Sequence, residues 1–207
     1  LVLLHRELRH YRYGDIIGNF RAIPAAAVLW ALFLTACNYT VFTLYDVMGL
    51  RFIKRSLSYA RAFLASFIGF AFSNSTGAFL FSSSLIRFGL YCNWGLSALD
   101  VAGLIAFNNV SFLLGLMTVG GVVLIWQPLA MPVRYVALVL GLRLVGGILL
   151  AVVAAYLLLC LFRRRPIRIR TVDIPVPTLG LATLQLGVSL LDWILAASVL
   201  YVLLPER

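Results

Sequence analysis

The chain has 207 residues, of which 63% are hydrophobic and only 12% charged; soluble domains usually carry about 25% charged residues. A water-soluble fold of this length leaves much of its chain at the boundary and cannot hide so much apolar surface, and a mean hydropathy of +1.02 therefore excludes the soluble globular class. The 17 Lys and Arg outnumber the 7 Asp and Glu to give +10, but these cations lie between apolar runs rather than on one continuous basic face. That pattern argues for anchoring at a membrane surface and attraction to anionic headgroups rather than for nucleic acid.

A spanning helix needs about 20 mostly apolar residues, and the sequence offers five such segments. The first covers roughly 23–44, with Pro24 placed in a first turn. The second, about 57–91, is interrupted by Ser73-Asn74-Ser75-Thr76-Gly77 and by Ser82-Ser83-Ser84. The third covers 98–126 and opens on Ser97-x-x-Asp100, a capping box with Asp in the last place. The fourth and fifth cover about 133–162 and 177–204. The fold class is therefore all-α, a polytopic membrane bundle. The opening LVLLHRELRHYRYGD and the closing Pro205-Glu206-Arg207 read as parts of a longer protein.

Charge flanks set the orientation. Arg163, Arg164, Arg165, Arg168 and Arg170 between the last two segments mark a cytoplasmic loop, and Arg51, Lys54, Arg55, Arg61 and the 87–100 stretch fall on the same side. With both of its ends inside, the 57–91 segment is a re-entrant or paired hairpin with Ser73–Gly77 at its tip. The alternative is one long tilted helix whose Ser and Thr bond back to its own carbonyls. A polar tip at membrane depth survives only where it is buried in protein or lines a wet cavity, as broken helices do in transporters.

Ionised side chains inside apolar segments need a reason to be there. Arg143 and Asp192 lie within the fourth and fifth segments, at depths an Arg side chain can bridge, so an ion pair between them is expected. It serves either a polar cavity or helix register. Asp46, after Tyr45, is either solvated beside the basic loop or functional. Arg87 either snorkels near Tyr91 and Trp94 or binds a lipid phosphate. Asn108, Asn109, Ser111 and Thr118, with glycines at 115, 120, 121, 141, 146 and 147, indicate close helix packing.

Neither cofactor nor metal is expected. His5 and His10 have no partner at ligand spacing, Cys37, Cys92 and Cys160 read as small apolar fillers, and no GxSxG, Walker or HExxH motif occurs.

The stretch TLYDVMGLRFIKRSLSYARAFLASFIGFAFSNSTGAFLFSSSLIRFGLYCNWGLSALDVAGLIAFNNVSFLLG resembles the N-terminal membrane region of the multiple peptide resistance factor family. The resemblance rests on Tyr45-Asp46…Leu50-Arg51, Ser66-Phe67-Ile68, Phe72-Ser73-Asn74, Arg87-Phe88-x-Leu90-Tyr91 and Trp94-Gly95-Leu96-Ser97 followed by Asp100. The ending SLLDWILAASVLYVLLP is similar to a later helix of that family. Ser82-Ser83-Ser84 and Phe88 depart from its common pattern.

The resemblance implies a bifunctional parent in the bacterial inner membrane. A soluble C-terminal domain, absent from this chain, would be a phosphatidylglycerol lysyltransferase using aminoacyl-tRNA. The membrane region would then move lysyl- or alanyl-phosphatidylglycerol to the outer leaflet and so repel cationic antimicrobial peptides. The expected partners are phosphatidylglycerol, its aminoacylated form, the membrane and further copies in a homo-oligomer. The implied headgroup contacts are Asp46 and Asp192 to the ammonium, Arg87 to the phosphate, and Asn74 or Ser73 to the glycerol or ester; Arg143, Arg51 and Tyr45 complete the candidate set. A scaffold that anchors and oligomerises a cytoplasmic aminoacyltransferase and supplies it with phosphatidylglycerol is the competing expectation.

Overall fold

The computed structural model describes residues 23–76, 79–126, 136–162, 167–169, 172–174 and 176–204. Among them are six helices: α1 (Ala25–Phe52), α2 (Tyr59–Thr76), α3 (Phe79–Asn93), α4 (Ala98–Trp126), α5 (Val136–Phe162) and α6 (Leu179–Leu203). A short antiparallel ribbon, β1 (Ile167–Ile169) with β2 (Val172–Ile174), pairs Ile167 with Ile174 and Arg168 with Asp173. Four helices, α1, α4, α5 and α6, are long and apolar enough to cross a membrane. Their outward faces carry large apolar side chains such as Leu144, Ile148, Ile194 and Leu200, each more than half exposed. Apolar surface on that scale marks a lipid boundary.

α1 runs past Leu44, the end that the charge following it suggests, because the Asp46 carboxylate is satisfied by side chains of other helices. It stops instead at a left-handed residue, Lys54, with φ of 57°. There the Arg55 N–H reaches the Leu50 carbonyl at 3.0 Å and the Lys54 N–H reaches that of Arg51 at 3.1 Å, the paired bonds of a Schellman cap. The same device ends α3. Gly95 has φ of 93°, and the Leu96 N–H bonds the Tyr91 carbonyl at 3.1 Å. α4 then starts as its capping sequence predicts, with the Asp100 N–H donating to Ser97 Oγ at 3.1 Å.

The 57–91 segment folds as two helices, α2 and α3, that pack on each other. At 1.5 Å per residue they are roughly 27 and 22 Å long, shorter than their neighbours. Their outer ends meet, with the Arg61 guanidinium 5.9 Å from the centre of the Trp94 ring. The tip residues Gly77 and Ala78, and the side chains of 74–82, lie outside the described residues. Ser73 is buried.

The described residues divide into two compact units, one comprising residues 23–37 together with 195–204, the other lying within Asn38–Ile194. In the first, Thr35 Oγ1 bonds back to the Ala31 carbonyl at 2.7 Å. In the second, α4 packs on α5 and α3 on α4, with a core of Leu50, Ala62, Ala65, Tyr91, Val101 and Leu104. Small residues permit these contacts. A Cβ on Gly121 would lie 3.0 Å from the Gly146 carbonyl oxygen, and one on Gly146 would lie 2.8 Å from that of Gly121.

Candidate functional site

The second unit carries three buried polar clusters, and the first is built on Asp46. This residue lies about 9 Å along the helix from the end of α1, at 1.5 Å per residue, and is fully buried. Arg87, at a similar distance from the end of α3, donates from Nε to both carboxylate oxygens at 3.0 and 3.1 Å. Ser66 of α2 donates its hydroxyl at 2.6 Å, and Asn108 of α4 donates its side-chain amide. Arg87 in turn donates Nη1 to Ser83, one turn earlier on α3. One carboxylate therefore ties four helices together.

This geometry revises the separate roles expected for the two charged groups. Asp46 faces no open crevice; its acceptor capacity is taken up by protein donors, and Arg87 is its partner. Three buried side-chain polar atoms remain without a hydrogen bond among the described residues: Trp193 Nε1, Asn108 Oδ1 and the Tyr91 hydroxyl, the last of which lies close to the Asp46–Arg87 pair. Beside Arg87 is a small cavity of about 30 Å³, bounded by Phe42, Tyr45, Ser83, Asn108 and Phe112. That space suffices for a water molecule and is far too small for a lipid headgroup.

The second cluster is built on Asp192, near the middle of α6. Asn38 donates its amide to Asp192 Oδ1 at 2.7 Å, and the Tyr45 hydroxyl donates to Oδ2 at 3.2 Å. The expected ion pair with Arg143 does not form; Arg143 is exposed, and the Asp192 carboxylate is held by two neutral donors of α1. Depth along a helix leaves direction around it open. α5 is drawn onto α4 by the close glycine approach, while the Asp192 face of α6 is taken by α1. Because Tyr45 and Asp46 are adjacent, α1 links the two acidic clusters through consecutive side chains.

The third cluster joins α4, α5 and α6. Tyr156 donates its hydroxyl to Gln185 Oε1 at 2.7 Å, and Gln185 donates Nε2 to Ser111 Oγ at 2.7 Å. Gln185 is not among the residues that the sequence singles out, although an amide within a long apolar run is a usable signal; the same holds for Asn38. Gln185→Leu leaves the half-buried Tyr156 hydroxyl without its acceptor, while Ser111 keeps its bond to the Phe107 carbonyl at 2.7 Å, and a loss of about 1–3 kcal/mol is expected. Thermal unfolding in detergent, with Thr183→Leu on the exposed face as the control, checks it.

Of the other candidates, Arg51 is exposed at the end of α1, Ser73 is buried in α2, and the side chain of Asn74 lies outside the described residues. The structure thus gathers Tyr45, Asp46, Arg87 and Asp192 into linked clusters and leaves Arg51 and Arg143 apart.

Fold and site together define a multi-pass membrane protein with ionic side chains buried among its helices. The chain is 35% identical over 202 residues to an uncharacterised protein of Synechocystis, covering 98% of this chain and 63% of that one. It is 24% identical over 207 residues to the inner membrane protein YbhN of Escherichia coli, covering 65% of that protein. The chain thus spans a little under two thirds of the length of these relatives. No family model matches it. Neither relative's name specifies a synthase or a lipid-moving activity, so the multiple peptide resistance factor resemblance carries over as a membrane helical architecture and no further.

Proposed function

We propose that the chain is the membrane part of a phospholipid translocator of the bacterial inner membrane, with aminoacylated phosphatidylglycerol as its expected cargo. The observation that carries this reading is the pair between Arg87, on α3 of the short α2–α3 hairpin, and Asp46 of α1, with Arg87 bordering a small cavity next to Tyr45. Ionisable groups at membrane depth mark pathways more often than they stabilise, and an Arg guanidinium binds carboxylate and phosphodiester oxygens in the same bidentate way.

In this reading the structure is a closed state. The headgroup phosphate replaces Asp46 at Arg87 as α1, α3 and α4 part, and the released Asp46 takes the ammonium of an aminoacylated headgroup. Asp192, reached through Tyr45, offers a second carboxylate that lacks a cation partner among the described residues. The acyl chains remain in lipid throughout.

The competing scaffold reading draws on a specific observation, the complete burial and saturation of Asp46. Vesicles containing the full-length protein and headgroup-labelled phosphatidylglycerol or lysyl-phosphatidylglycerol separate the two. Translocation predicts rapid access of an outside quencher to inner-leaflet label. It further predicts that the neutral pair Asp46→Asn with Arg87→Gln slows this at least tenfold while the protein stays folded. A wild-type protein that moves neither lipid faster than empty vesicles makes the chain a scaffold.

A further inference from the structure

A second opening among the described residues lies away from the buried clusters. It is a groove of about 740 Å³ at the elbows between α1 and α2 and between α3 and α4, lined by Lys54, Arg55, Ser56, Ser58, Arg61 and Trp94 among others. Its volume falls within the range of small-ligand sites.

Both elbows are built alike: a Schellman cap with a left-handed residue, then Leu57 or Leu96, then Ser58 or Ser97 at the start of the next helix. The two leucines pack partly against the core of Leu50, Ala62, Ala65, Tyr91, Val101 and Leu104 and line the groove together with the polar residues of both turns. The beginnings of α2 and α4 also lie here, each with the partial positive charge of a helix N-terminus. Arg55 is paired with Asp100 at 2.9 Å. Lys54 and Arg61 add two cations, and Arg61 is steadied over the Trp94 ring.

We infer that this groove binds the phosphodiester headgroup of an anionic phospholipid at the membrane surface. Its lining supplies positive charge, hydroxyl donors and two helix N-termini, which is the chemistry that holds phosphate oxygens. A lipid source is favoured over a soluble phosphate because the elbow lies at the end of the membrane helices. Tyr59 and Leu99, at the starts of the helices that leave the two turns, are 54% and 71% exposed, an apolar rim suited to acyl chains. This assignment is independent of the translocation reading and uses none of its residues.

The test measures the association of spin-labelled phosphatidylglycerol, relative to spin-labelled phosphatidylcholine, with the full chain in mixed-lipid bilayers. Wild type is expected to prefer phosphatidylglycerol, and Lys54→Asn with Arg61→Gln is expected to lower that preference roughly 25-fold, since each of the two cations near a surface contributes about a fivefold factor. Asn tolerates the left-handed backbone at position 54, so the charge is removed without straining the cap, and Arg55 keeps Asp100. The charge-keeping pair Lys54→Arg with Arg61→Lys is expected to retain most of the preference. Absence of preference in the wild type, its persistence in the neutral pair, or equal loss in both pairs overturns the assignment. So does displacement of the labelled lipid by millimolar inorganic phosphate at matched ionic strength, which would point to a soluble anion. Asp46 and Arg87 are untouched, so failure here leaves the translocation reading standing.

Discussion

Arg87→Ala is expected to destabilise the protein by about 3–5 kcal/mol, because it strands a fully buried carboxylate whose charge has no other compensation at hand. Asp46 is 0% and Arg87 8% exposed, so solvent screens the pair little. Ser66 and Asn108 would still donate to Asp46, but neutral donors do not cancel its charge. The double variant Asp46→Asn with Arg87→Gln removes both charges, keeps hydrogen-bonding groups of similar size, and is expected to be clearly more stable than Arg87→Ala. Unfolding temperatures of wild type, Asp46→Asn, Arg87→Gln and the double variant in one detergent give the coupling directly. Additive single effects would mean that the two groups do not act as a pair. A merely structural pair and a translocation site share this stability result; they part in the vesicle assay, where only the latter links loss of the charges to lipid movement.

The second large effect is expected at Gly115, where α4 meets α6. A Cβ there would stand 2.7 Å from Ser189 Cβ, 2.8 Å from Trp193 Cδ1 and 3.0 Å from the Ser189 carbonyl oxygen. Two of these neighbours belong to the backbone or lie one bond from it, so neither can swing away, and Gly115→Val must push the helices apart. Overpacking of this kind typically amounts to about 1–3 kcal/mol, and the unfolding temperature should fall accordingly. Gly147→Ala is the contrast, since a Cβ at that position would meet nothing within 4 Å and alanine favours the helix by up to about 1 kcal/mol over glycine. A Gly115→Val protein as stable as the Gly147→Ala one would show that this helix contact does not hold the bundle together.

The membrane class, the four long spans and the start of α4 at Ser97 are all legible in the amino-acid order. Each depends on a one-dimensional property: the length of an apolar run against the thickness of a bilayer, or a cap closed within a single turn. Asp46, Arg87 and Asp192 also stand out, because a charge inside an apolar run is conspicuous wherever it points. Their partners do not. Counting residues along a helix gives the depth of a side chain but not its direction around the axis, and direction is set by which helices approach closely. Gly121 and Gly146 bring α5 to α4, Arg143 faces outward, and Asn38 and Tyr45, more than a hundred residues from Asp192 in sequence, hold its carboxylate. Composition and order thus settled that this chain lives in lipid and which charges had to be accounted for. Only the packing of helices in three dimensions decided that Asp46 would close on Arg87, because that pairing depends on contacts among four helices at once.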